Sequence, residues 1–135
     1  MNIALYPIDA GDWPKWWEFQ QEFAKGDPQA RTFTDESRAR DEFDASVTAH
    51  ESGNGCQLVQ WDSVNKDRCI GEAFTRRQSD GYYTGIVFLP DSCGIGLGRN
   101  AMETLIAWGS RKGLPFLLSS VWETNHDALC LNLKC

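Results

Sequence analysis

Long apolar runs are missing from the sequence. No stretch approaches the roughly 18 residues that a bilayer-spanning helix needs, so no helical membrane anchor and no membrane partner are expected. The N-terminus shows no basic segment followed by an apolar run, so no secretory leader is expected either. The five cysteines, Cys56, Cys69, Cys93, Cys130 and Cys135, include no CxxC pair, are odd in number, and have only His50 and His126 for company. That argues against a zinc site or a disulfide framework, and points to a cytoplasmic protein with reduced thiols and no metal. Positive charge is also scarce. Thirteen Lys and Arg stand against 19 Asp and Glu, a formal charge of -6, which disfavours a long nucleic-acid contact and suits a cationic or neutral partner.

What is present reads as a globular chain. The 135 residues, 41% hydrophobic and 12% aromatic, suffice for one domain with an ordinary core. Ile3 to Tyr6 predicts a strand ending at Pro7, and Asp9 to Asp12 a turn leading into a helix at Pro14. Trp13, Trp16, Trp17, Gln20 and Phe23 recur at helical spacing and predict a core-packing stripe, with a ligand-facing aromatic wall as the alternative. After a loop around Asp27-Pro28, Thr34 or Asp35 caps a mostly solvated helix to about His50, anchored by Phe43 and Val47. The two helices could wall an acceptor cleft, or simply carry a wet face. Cys56 to Trp61, Arg68 to about Arg76, and Tyr82 to Leu89 then read as a three-stranded antiparallel meander, with a bulge or a close backbone approach at Gly85.

The stretch Val87 to Lys112 runs from strand through a glycine-dense turn into an amphipathic helix, with Gly113 at its C-terminal cap. Glycines let the backbone approach a ligand, and the free N–H groups and dipole of the helix start favour an anion. No lysine completes a P-loop, and the spacing GxGxG after an antiparallel meander does not fit the dinucleotide fingerprint. A plain tight turn stays open at this point. Phe116 to Val121 reads as a further buried strand, and Thr124 or Asn125 caps a last helix with Ala128, Leu129, Leu131 and Leu133.

FLPDSCGIGLGRNAMETLIAW followed by LLSSVWETNHDAL resembles the acyl-CoA-binding strand, turn and helix, then the next strand and helix, of the GNAT N-acetyltransferase superfamily. Gly96 and Gly98 align with the family's glycines, Arg99, Ala101 and Leu105 fall on common family positions, and Asn125 and Ala128 match the later helix. The resemblance implies an α/β (α+β) fold: a mixed, mostly antiparallel central sheet flanked by helices, shortened at the C-terminus. It implies acetyl-CoA (or CoA) as ligand. The backbone of Cys93, Gly94, Ile95, Gly96, Leu97, Gly98 and Arg99 would cradle the pyrophosphate. Ile86, Val87 and Phe88 would offer main-chain groups to the pantetheine arm, with Asn125 contacting it further on.

By the same resemblance the reaction moves an acetyl group to a primary amine of a small molecule or peptide. An amine loses its proton and attacks the thioester, and a backbone N–H near Phe88 holds the oxyanion. Glu72, inside the third predicted strand and followed by apolar Ala73 and Phe74, is the candidate base, with a solvated or ion-paired glutamate as the plain alternative. Tyr82 and Tyr83 read as packing residues before acids. Cys93 replaces a usual Arg or Gln, Asn132 stands where many members carry an acidic tyrosine, and Lys134-Cys135 ends the chain before the family's last strands. The amine acceptor is expected to be cationic, and a homodimer could cover the open sheet edge. A non-catalytic acyl-CoA-binding or protein-interaction module is the rival reading.

Overall fold

A computed structural model describes residues 4–26, 35–92, 96–115 and 117–119. In chain order it comprises strand β1 (Leu5–Pro7), helices α1 (Trp13–Gly26) and α2 (Glu36–Ser52), strands β2 (Gly55–Trp61), β3 (Cys69–Gln78) and β4 (Gly81–Phe88), helix α3 (Leu97–Arg111) and strand β5 (Leu118–Ser119). Among the described residues these strands form one sheet in the order β1-β2-β3-β4-β5. The first three pairings are antiparallel and β4 with β5 is parallel. This is the mixed, mostly antiparallel sheet that the resemblance implied.

Burial explains the periodicities. β2 lies between β1 and β3 and is buried along its whole length, so alternate residues serve two cores. Val59 and Trp61 pack with Trp16 and Phe19 of α1 and with Ala39, Phe43 and Val47 of α2. Cys56 and Leu58 pack with Ala73 of β3 and with Ala101 and Leu105 of α3. Both thiols in the meander are free and buried, and burial raises that of Cys56 to about 11.

Three sequence expectations shift in detail. β1 ends at Pro7 as expected but includes it in the ladder, which the outermost strand tolerates because one side of its backbone needs no ladder. On α1 the deepest ring besides Trp16 is Phe19, outside the expected stripe, while Trp13 and Trp17 stack at 5.8 Å and stay half-buried. The β3–β4 register runs unbroken through Gly85; the missing side chain there accommodates the Phe74 ring, whose Cζ would lie 2.3 Å from a Cβ. The register irregularity of the sheet falls instead between Gln60 and Trp61.

α2 is bounded by chemistry visible in the chain. Asp35 accepts the Arg38 N–H at 2.8 Å, and Gly53 closes the other end in the left-handed conformation. His50, in the last turn, accepts the backbone N–H of Gln57 on its Nδ1 at 3.0 Å. Its pKa is lowered, chiefly by burial, with Glu51 opposing. A depressed imidazole contributes stability that is present above about pH 6.5, the ordinary histidine value, and is lost as pH falls through the folded value, because the unfolded chain then binds more protons. Urea midpoints should therefore fall between pH 8 and pH 5. His50→Gln, whose Oε1 can accept at any pH, should flatten that part of the slope, and an unchanged slope would assign it to other groups.

Candidate active site

Glu72 stands in the middle of β3, on the face that meets α1 and α2. Parity sets this: its ladder partners are Val59 of β2 and Val87 of β4, and Val59 belongs to the core under those helices. A bare carboxylate in that position would be costly, and three donors converge on it. The Trp16 indole Nε1–H reaches Oε2 at 2.7 Å, Gln57 Nε2 reaches the same oxygen at 3.3 Å, and Gln20 Nε2 reaches Oε1 at 3.3 Å. A carboxylate oxygen has two lone pairs. Both lone pairs of Oε2 are thus engaged, and among the described residues Oε1 receives one donor.

The residue is half-buried, and its carboxylate is surrounded by these three donors. Burial pushes its pKa up; the bonds from Trp16 and Gln20 and the charge of Arg76 pull the other way, and Glu42 adds to the rise. A carboxylate lifted toward neutrality by desolvation is suited to general base work. Nearby, Arg76 donates from Nη2 to Ser46 Oγ, lies 3.5 Å from Gln57 Oε1, and pairs with Glu42 at 3.5 Å.

The fold brings Glu72 beside the expected pantetheine track. Ile86, Val87 and Phe88 of β4 are in register with Ala73, Glu72 and Gly71 of β3. Gly71 is needed there, since a Cβ would stand 2.5 Å from the Phe88 ring and 2.8 Å from the Val87 carbonyl oxygen. The described β4–β5 ladder consists of Tyr83 with Leu118 and Thr84 with Ser119, before that track begins.

Of the expected anion cradle, Gly96, Leu97, Gly98 and Arg99 are described. Gly96 has φ 86, the left-handed region that favours glycine, and precedes α3 with no side chain capping the helix. Arg99 points into an exposed pair with Glu103 at 3.1 Å. Cys93, Gly94, Ile95, Asn125 and Asn132 lie outside the described residues. Tyr82 packs edge-on to Trp108 at 5.8 Å, and the Tyr83 hydroxyl donates to Asp80 at 2.8 Å.

The sequence marks Glu72 as a candidate but not its setting. Helical spacing makes Trp16 and Gln20 packing residues on one stripe, Glu42 falls on the helix expected to carry a wet face or wall a cleft, and Gln57, Arg76 and Ser46 go unmarked. One signal was available: polar Gln57 stands among apolar Cys56, Leu58 and Val59 in a strand otherwise suited to burial, and a buried amide needs partners.

Comparison with solved structures finds this fold in acetyltransferases. The ribosomal-protein-S5-alanine acetyltransferase from Vibrio fischeri superposes with TM-score 0.84 at 12% identity over 99% of this chain and 78% of its own. RimL, a ribosomal L7/L12 α-N-protein acetyltransferase in complex with coenzyme A, gives 0.82 at 12% over 99% and 78%. AAC(6')-Iy, bound to the bisubstrate analogue CoA-S-monomethyl-acetylneamine, gives 0.74 at 13% over 99% and 89%. At such identities the likeness establishes the fold. A search of curated protein sequences gave no significant match. The sequence profile of the Acetyltransferase (GNAT) family, however, matches residues 6–131, spanning β1, the meander with Glu72 and the glycine turn into α3, and the chain therefore belongs to the GNAT acetyltransferase family.

Proposed function

We propose that the protein transfers an acetyl group from acetyl-CoA to a primary amine of a small molecule or peptide, with Glu72 as the base. The observation that carries this reading is the Glu72 carboxylate: desolvated, held by three donors, and in register with Val87 of the track expected to receive the pantetheine arm.

The described residues fit the ligand. An uncapped helix start behind a left-handed glycine offers N–H groups and a positive dipole end to a pyrophosphate, and Ile86 to Phe88 supply extended backbone. When bound, acetyl-CoA supplies an activated acyl thioester. An ammonium acceptor must first lose a proton, and Glu72 Oε1 can take it directly or through one water. The main chain near Phe88 would meet the charge that develops on the carbonyl oxygen. Acceptors named for solved relatives include a ribosomal-protein alanine, and the formal charge of -6 favours a cationic acceptor. No helix among the described residues is long and apolar enough to cross a membrane.

Thermal denaturation with CoA or acetyl-CoA tests the ligand. At 100 times its dissociation constant a ligand stabilises by about 2.7 kcal/mol, so the melting temperature should rise by several degrees, and no rise would sink the assignment. Thiol release over a panel of amines tests the reaction. Stabilisation without thiol release from any amine would select the non-catalytic binder.

A further inference from the structure

We propose that Gln57 is a positioning residue that ties the Arg76 guanidinium to the Glu72 carboxylate, so that a charge beyond hydrogen-bond distance is linked to the catalytic group through one amide. This rests on reading Glu72 as the base.

The geometry follows from the ladder. Glu72 and Arg76 lie four residues apart on β3, about 13 Å along a strand at roughly 3.3 Å per residue, and share a face because the separation is even. Gln57 of β2 is in register with Phe74, midway between them. It is thereby a diagonal cross-strand neighbour of both, at a distance that long side chains bridge. Its Nε2 lies 3.3 Å from Glu72 Oε2 and its Oε1 3.5 Å from Arg76 Nη2.

Chemistry fixes which way the amide points. The guanidinium only donates and the carboxylate only accepts; a reversed amide would set its NH2 against a cation and its oxygen against an anion. The amide dipole is therefore aligned between the two charges. The backbone of Gln57 is pinned as well, its N–H on His50 Nδ1 and its carbonyl on the Ile8 N–H at 3.0 Å. Its side chain is 2% exposed as part of a buried residue. Arg76 is in turn fixed by Ser46 Oγ.

The charged and titratable groups around the carboxylate can be named element by element. α1 offers uncharged Trp16 and Gln20. α2 offers Glu42, which partly neutralises Arg76 at 3.5 Å, and His50 behind the Gln57 backbone. β3 offers Arg76 itself and the buried Cys69 thiol, which feels the charge of Glu72 and, from the turn before α1, that of Asp12. Arg76 is the cation that favours the ionised form, and Gln57 touches both it and Glu72.

The test is the titration of Glu72 followed by carboxyl ¹³C NMR, alongside the pH profile of kcat/KM, in wild type, Gln57→Leu, Gln57→Glu and Glu42→Gln. Gln57→Leu should raise the Glu72 midpoint and carry the rate profile with it, costing roughly tenfold in kcat/KM on the acid limb, the scale of a one-unit displacement. Gln57→Glu should raise it further, since two carboxylates then face each other. Glu42→Gln should move it down, by removing the Glu42 charge and by releasing Arg76. A Glu72 midpoint unmoved in Gln57→Leu, with the variant folded by circular dichroism, overturns the link. A midpoint that moves while the rate profile stays fixed supports the link and overturns Glu72 as the base. Should Gln57→Leu fail to fold, Glu42→Gln on the surface of α2 decides: no downward displacement overturns the link.

Discussion

Glu72→Gln should slow acetyl transfer by about 10²- to 10⁴-fold, the usual worth of general acid–base catalysis, while leaving the affinity for CoA unchanged. It should do so in a protein at least as stable as wild type at neutral pH. Burial raises the Glu72 pKa above its ordinary value of 4.5, so the native state keeps the proton to higher pH than the unfolded chain. The contribution of this group to stability is present below about pH 4.5 and lost as pH rises through the folded value. A neutral amide escapes that loss. It also fits the donors: with its carbonyl in place of Oε2, the bonds from Trp16 and Gln57 survive, and its NH2 in place of Oε1 meets Gln20, whose amide can turn to present oxygen. Single-turnover rates, CoA titration and urea denaturation between pH 4 and pH 8 check the three parts separately. Wild-type rates in the variant would remove Glu72 from the role of base, and a large loss of stability would contradict the account of its burial.

The largest effect on stability is expected at Trp16. Its side chain is 2% exposed, packs 5.9 Å from Trp13 and 5.4 Å from Phe43 between ring centroids, and donates to Glu72 at 2.7 Å. Trp16→Ala removes the ring and opens a cavity where α1, α2 and the sheet meet, a change worth about 3 to 5 kcal/mol. Against a typical total of about 5 to 15 kcal/mol, that takes a large share of the fold. Trp16→Phe separates the two roles, since it keeps most of the apolar contact but deletes the N–H. A charged acceptor that loses one donor forfeits about 1.5 to 3 kcal/mol, and this loss should grow with pH, because the ionised carboxylate needs the donor most. Urea midpoints of the two variants at pH 5 and pH 8 give the answer. A Trp16→Phe variant as stable as wild type at both would mean that the indole contributes packing alone.

These two positions also mark what a linear reading reaches. α1 and α2, the meander and the glycine turn were legible because each carries its own local signal: helical spacing of aromatics, Asp35 as a cap, turn residues between apolar runs, Gly96 before an amphipathic helix. Glu72 was legible as a lone carboxylate in an apolar strand. Its meaning was not, because Trp16 and Gln20 are separated from it by 56 and 52 residues, and no period within α1 tells which side chain will face which strand.

By itself the sequence determined α1, α2, the meander and α3 among the described residues, the glycine at the start of α3, and the family to which the chain belongs. Only the tertiary structure decided the surroundings of Glu72. Cross-strand register, which puts Gln57 opposite Phe74 and Val87 opposite Glu72, is a property of two strands together, and the packing of α1 and α2 over the sheet then turns an ordinary glutamate into a desolvated one. Period two tells which face a residue takes; it carries no information on the partner it meets there, and the chemistry of Glu72 lies in those partners.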